Sequence, residues 1–161
     1  MDGSGILIIG VGNEYRTDDA AGLLAARKVK ELAIPGIDVT ENNGDGADLI
    51  ERWADKETVI LIDAVLSGSA PGTIHRFSLP GAELPAEYFR FSTHLFSIPQ
   101  AIYLSASLGN LPKKLMLYGI EASSFDTGTS LTREVELAVN NIVKILNNDI
   151  NKLITNTKGV N

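Results

Sequence analysis

The sequence contains no cysteine and only two histidines among its 161 residues. The absence of cysteine excludes disulfides, thiolate metal sites and a cysteine nucleophile. Because His75 and His94 are the only imidazoles, a site with three histidine ligands from one chain is excluded as well. Any metal site built by this chain must therefore rely mainly on carboxylates.

Long apolar runs and basic blocks are also missing. No stretch approaches the roughly 20 apolar residues that span a bilayer, and the N-terminus lacks the regions of a secretory signal. The 14 basic and 20 acidic residues give a formal net charge of −6, and no Lys/Arg stripe indicates phosphate binding. We therefore predict a cytoplasmic protein that binds neither membranes nor nucleic acids.

The apolar residues, 44% of the chain, fall into strand-like runs and helix-like periodic segments. Strands are predicted at 6–11, 37–40, 58–62, 73–78 and 114–119, and helices at 19–32, 47–53, 95–107 and 131–153. Their alternation predicts one α/β domain over residues 1–161, with a mostly parallel, twisted sheet of about five strands between two helix layers. No helix fits between 58–62 and 73–78, so the latter is predicted to be an antiparallel edge strand.

The rest of the chain is organised around Ile6–Gly22, where an apolar run ends in a glycine-rich turn followed by two acidic residues. Thr17 or Asp18 is predicted to cap the helix that follows. The turn has two glycines of a dinucleotide-binding fingerprint, but Tyr15 stands where the third belongs. No nucleotide cofactor is therefore expected.

Three side chains are predicted to meet at one edge of the sheet. Asp19 follows the first strand, Asp63 follows the third, and His94 precedes a later helix. The carboxyl ends of parallel strands share one edge, where open α/β sheets bind ligands. Two carboxylates and one imidazole suit a borderline divalent ion such as nickel or zinc. Three protein ligands also leave coordination positions open for another molecule.

Each of these side chains also has a purely structural interpretation. Asp18 and Asp19 can serve as helix caps and dipole partners, and a lone His94 can pack without binding a ligand. Asp63 is harder to explain in this way, since a carboxylate that ends a buried strand needs a partner. His75 is out of phase with its apolar neighbours and is predicted to lie at the surface.

Four short blocks, spread over nearly the whole chain, carry the motifs of one known family. They are G-V-G-N (10–13) with T-D-D-A-A-G (17–22), L-I-D-A (61–64) with A-P-G-T (70–73), S-T-H-L (92–95), and K-K-L-M-L-Y-G (113–119). In order and spacing they resemble the hydrogenase maturation endopeptidases, peptidase family M52. These nickel-dependent proteases trim the large subunit of NiFe hydrogenases.

The resemblance implies that Asp19, Asp63 and His94 are metal ligands and act in catalysis through the metal. It implies an endopeptidase that removes the C-terminal extension of a nickel-loaded large-subunit precursor. The nickel is expected to arrive with the substrate, so no tightly held ion is expected at rest. We expect the enzyme itself to be a monomer.

The chain departs from this family after its second strand. The family usually has Asp-Gly-Gly-Thr there, whereas this chain has Asn42-Asn43-Gly44-Asp45. If the missing carboxylate assists hydrolysis, the activity is altered in this chain or Asp45 takes that role. A second hypothesis therefore stays open, namely a non-proteolytic nickel-sensing or chaperone module on the same fold.

Overall fold

The computed structural model describes residues 5–89 and 96–158. Its elements are β1 (Ile6–Val11), a 3₁₀ turn (Thr17–Ala20), α1 (Ala21–Glu31), β2 (Ile37–Asn42), α2 (Gly46–Trp53), β3 (Thr58–Val65), β4 (Ile74–Leu79), a second 3₁₀ turn (Ala86–Phe89), α3 (Ile98–Leu108), β5 (Lys114–Glu121) and α4 (Arg133–Lys158). In this part of the chain, no helix is both long and apolar enough to cross a membrane.

The five strands form one sheet in the order β2-β1-β3-β5-β4. The first four of these strands are parallel, and β4 runs antiparallel to β5 at the edge. The predicted α/β class, the mostly parallel sheet and the antiparallel edge strand are confirmed.

Helices cover both faces of the sheet, because its central strands are apolar on both sides. In β1, Ile6 and Ile8 pack with α1 and α4, whereas Leu7 and Ile9 pack with α2 and α3. Trp53 is fully buried on the second face, where its indole N–H donates to Ser105 at 2.8 Å. The strands that lead to the site are thus held from both sides.

Three strands are longer than predicted. β2 continues to Asn42, β3 to Val65 and β5 to Glu121. Their polar residues remain in the sheet because parallel neighbours continue to pair with them; Asp63, for example, is opposite Gly119. Asp63 therefore lies inside β3, two residues before its end, and not after it.

The helix starts also differ from the predicted ones. Asp18 and Thr17 belong to a 3₁₀ turn, and α1 begins after Ala20, which makes no side-chain cap. The prediction that either residue caps this helix is wrong. α3 begins at Ile98, because Ser97 forms a capping box there, and Pro99 lies in its first turn as predicted.

Candidate functional site

Glycines let the turn after β1 pack tightly against the sheet. Gly12 has a positive φ of 155°, and a Cβ there would lie 2.0 Å from the backbone oxygen of Asp19. A Cβ on Gly22 would lie 2.2 Å from the backbone oxygen of Ile62. Both contacts are shorter than any side chain permits, so only glycine allows this close approach. The glycines thereby bring Asp19 next to the end of β3.

Asp18 fixes the position of this turn from the other side. Its fully buried carboxylate accepts hydrogen bonds from the backbone N–H groups of Ser123 and Ser124, at 2.8 and 3.0 Å. It also accepts from the N–H of Thr132 at 2.8 Å and from the Thr132 hydroxyl. Thr132 directly precedes α4, whose N-terminus favours a nearby anion. Asp18 thus joins the turn to the loop after β5 and to the start of α4.

A cavity of about 620 Å³ opens at the carboxyl ends of the parallel strands. Its wall includes Asp19 from the 3₁₀ turn, Asn42 from the end of β2 and Asp63 from β3. The structure therefore brings two of the three predicted ligands to one cavity. Asn42, singled out as the departure from the family, lies on the same wall.

The two carboxylates interact electrostatically. Asp63 is buried, and desolvation raises its pKa well above the usual value for an aspartate. The negative charge of Asp19 raises this pKa further, whereas a hydrogen bond from the N–H of Ala64 at 2.8 Å opposes the shift. A shared cation is the natural partner for two such carboxylates, because it removes their mutual repulsion.

The third predicted ligand, His94, lies outside the described residues. Phe89 and Ser97, the cavity-wall residues on either side of it in sequence, are described. Over residues 5–89 and 96–158, no group of three or more His, Cys, Asp or Glu side chains is close enough to hold an ion. The ligand set of Asp19, Asp63 and His94 stays a prediction.

The side chains of Asn42 and Asp45 make different hydrogen bonds. Asn42 is 5% exposed, and its amide donates to the carboxylate of Asp48 at 2.7 Å and accepts from the N–H of Gly44. Asp45 caps α2, since its side chain accepts a 3.0 Å hydrogen bond from the N–H of Ala47. Both side chains are therefore engaged with α2 or the loop before it, and of the two it is Asn42 that lines the cavity.

His75 does not lie at the surface, contrary to the prediction. Its side chain is 15% exposed, and its Nε2 lies 3.0 Å from a carboxylate oxygen of the buried Glu121. The same carboxylate accepts from the hydroxyl and the backbone N–H of Ser67, at 2.6 and 2.9 Å. His75 also packs edge-on against Tyr88, which lines the cavity. His75 shares a face of β4 with Phe77, and both rings pack against Tyr88.

A charged cluster on the cavity wall is not indicated by the sequence. The guanidinium of Arg27 binds both carboxylate oxygens of Glu41 at 2.8 Å and one oxygen of Glu14 at 3.4 Å. Arg27 lies on α1, Glu41 on β2 and Glu14 in the turn after β1, so the packing of α1 over the paired strands β1 and β2 brings them together. No local motif signals this cluster.

Known proteins share this fold and sequence pattern. The family model for hydrogenase maturation proteases matches residues 25–149. The chain belongs to this family. A relative, the hydrogenase 2 maturation protease of Escherichia coli, is 29% identical over 138 residues, which cover 83% of each chain. The protein is therefore a peptidase of the hydrogenase maturation group.

Solved structures agree with this assignment. The hydrogenase maturation protease HybD from Thermococcus kodakarensis is 30% identical, with a TM-score of 0.70 over 89% of this chain and 97% of that one. The maturating endopeptidase HybD from E. coli has a TM-score of 0.80, with 91% and 92% of the two chains covered. At 24% sequence identity, the latter supports the fold alone.

Proposed function

We propose that this maturation protease removes the C-terminal extension from a nickel-loaded large-subunit precursor of a NiFe hydrogenase. The observation that carries the proposal is the pair Asp19 and Asp63 in one cavity, where the charge of Asp19 raises the pKa of Asp63. A cavity that holds two carboxylates is suited to a cation, and the precursor's nickel is that cation in our proposal.

In this proposal the nickel arrives as part of the substrate. Asp19 and Asp63 supply oxygen ligands and His94 a nitrogen ligand, a mixed set that suits nickel. The cavity-wall positions of Phe89 and Ser97 support a role for His94, because the chain meets the cavity on both sides of the stretch that contains it. Binding to this site would place the scissile peptide bond next to the two carboxylates.

Cleavage adds water across the scissile bond. Oxygen joins the carbonyl carbon, the carbon–nitrogen bond breaks, and a proton passes to the leaving amine. A carboxylate of the cavity that does not bind the nickel is suited to accept that proton and return it to the amine. Polarisation of the carbonyl or of a water by the substrate's nickel is the other route. Both routes use the same cavity.

The test compares two forms of one precursor. Purified enzyme is incubated with nickel-loaded and nickel-free large-subunit precursor, and the products are weighed by mass spectrometry. We expect shortening of the nickel-loaded form only, and its loss in Asp19→Asn, Asp63→Asn and His94→Ala. Asp38→Asn is the matched control, because Asp38 is an exposed carboxylate on β2. An intact precursor in every reaction would contradict the proposal.

The same experiment addresses the non-proteolytic alternative. A nickel-sensing or chaperone module would bind the nickel-loaded precursor through Asp19 and never shorten it.

Action as a monomer in the cytoplasm is part of the proposal. Light scattering of the purified protein tests the monomer.

A further inference from the structure

Arg16 forms a second, cationic feature on the cavity wall. It lies on the turn between β1 and α1, and its guanidinium carbon is 5.7 Å from the centre of the Phe125 ring. Arg16 and Phe125 both line the cavity that contains Asp19 and Asp63. A guanidinium over an aromatic face is held by cation–π attraction and keeps the edge with its N–H donors available.

The other arginine of this wall is already neutralised. Arg27 is held by the carboxylates of Glu41 and Glu14. By contrast, among the residues that the structure describes, no carboxylate lies within ion-pair distance of Arg16. Within the described part of the chain, Arg27 thus has two carboxylate partners, whereas the charge of Arg16 has none and can bind an anion.

Hydrogen bonds of their neighbours join the turn of Arg16 to the loop of Phe125. Thr17, next to Arg16, has a left-handed φ of 50°, and its N–H donates to the oxygen of Gly128 at 2.9 Å. Its hydroxyl donates to the backbone oxygen of Asp126 at 2.7 Å, next to Phe125. A binding group fixed before the ligand arrives loses less entropy on binding than a flexible one does.

We propose that Arg16, stacked on Phe125, is a subsite that binds a carboxylate of the substrate's C-terminal segment. This inference rests on the proposed function, because it requires a peptide substrate in the cavity. A planar carboxylate matches the fork of N–H donors on a guanidinium. Elsewhere on the wall, Arg27 is already held by Glu14 and Glu41, and the negative charge of Asp19 repels an anion.

The position of the subsite gives it a role in selecting the cleavage site. The N–H of Asp19 donates to the backbone oxygen of Arg16 at 3.0 Å, so the two residues are held in one turn. A carboxylate bound at Arg16 is therefore held from the same turn as Asp19, in the cavity that contains the Asp19–Asp63 pair. The subsite thereby aligns the bound segment with the two carboxylates.

The experiment measures both binding and cleavage of nickel-loaded precursor. For Arg16→Gln we expect Kd and KM to rise about tenfold, as for one lost charge-assisted contact, with kcat changed less than twofold. Arg16→Lys keeps the charge without the planar fork and should show a smaller rise. Lys28→Gln removes an exposed positive charge on α1 and is the control, expected to match the unmodified enzyme.

Two altered precursors identify the source of the carboxylate. In one, the acidic side chains of the extension are replaced by their amides. In the other, a glycine–serine tail displaces the terminal carboxylate. The precursor that lacks the bound carboxylate should give the same Kd and KM with the unmodified enzyme and with Arg16→Gln, because neither enzyme can then form the interaction.

The outcomes separate the two proposals. Kd and KM of Arg16→Gln within twofold of the unmodified enzyme would overturn the subsite. Tight binding of precursor that is never shortened would overturn the proposed function. The ratio of the Kd of Arg16→Gln to that of the unmodified enzyme would then still test the subsite. If the unmodified enzyme does not bind the nickel-loaded precursor at all, both proposals fail.

Discussion

The side-chain amide of Asn42 donates a 2.7 Å hydrogen bond to the carboxylate of Asp48, which also accepts from Arg52. An aspartate at position 42 would bring a second carboxylate into this contact. The amide of Asn42 and the carboxylate of Asp48 therefore form a matched pair of hydrogen-bond donor and acceptor in this chain. The usual acidic residue of the family would therefore lie against a second carboxylate here unless position 48 changes as well.

We expect Asn42→Asp to lower the free energy of unfolding at pH 7 by about 1 kcal/mol, because two like charges are then held in contact. Asn42→Asp combined with Asp48→Asn restores a carboxylate–amide pair and should recover most of this loss. Urea denaturation of both variants measures the effect. Equal stability of Asn42→Asp and the unmodified protein would contradict the matched pair.

Asp63→Asn should make the protein more stable while it abolishes cleavage. The folded state raises the pKa of Asp63. Below the usual aspartate pKa the carboxyl group is protonated in both the folded and the unfolded state, so it does not lower the free energy of unfolding. As the pH rises above that value, the unfolded chain loses the proton first and the folded state is penalised. Asparagine removes this penalty and keeps the oxygen that accepts from Ala64.

The gain expected for Asp63→Asn at pH 7 is about 1 kcal/mol, a usual size for a polar group kept for function at the expense of stability. It should shrink towards zero as the pH falls to the usual aspartate pKa. Urea denaturation across this pH range measures it, with Asp38→Asn as the control. If Asp63→Asn has a lower free energy of unfolding than the unmodified protein at neutral pH, the buried Asp63 carboxyl group does not destabilise the folded state.

Nickel binding should release a proton from Asp63. Burial and the charge of Asp19 favour the protonated carboxyl, whereas a bound cation favours the carboxylate. We therefore expect the affinity for Ni²⁺ to rise with pH. Calorimetric titrations in two buffers with different ionisation enthalpies give the number of protons released.

Asp63→Asn should reduce that proton release, and His94→Ala serves as the comparison because an imidazole ligand also loses its proton on binding. Proton release that is unchanged in Asp63→Asn would mean that its carboxyl group does not titrate on metal binding.

Asp18→Ala should unfold the turn that carries Asp19. It leaves three backbone N–H groups, those of Ser123, Ser124 and Thr132, without their acceptor. The expected loss is about 3 kcal/mol of unfolding free energy. Cleavage should fall as well, because Asp19 is no longer held at the cavity. Denaturation and precursor cleavage measure both effects, with Asp38→Ala as the control; a normal cleavage rate would contradict this role.

The sequence predicts the sheet well, because apolar runs and helical periodicity are local signals. It predicts strand ends less well, since residues such as Asp63 and Glu121 stay in the sheet through pairing with a neighbouring strand. Contacts between distant residues leave no such signal. The partners of Asp18 lie 105 to 114 residues further along the chain, so the local sequence predicts a helix cap in place of this long-range anchor.

The long sequence separation of the Asp18 contacts also sets an order of events during synthesis. A ribosome that has completed β3 has already made both Asp19 and Asp63, yet the donors at Ser123, Ser124 and Thr132 do not exist. The turn that carries Asp19 gains its anchor only when translation has passed residue 132. A nascent chain thus acquires its acidic pair in working order only after β5 and the residues that lead into α4 have been made.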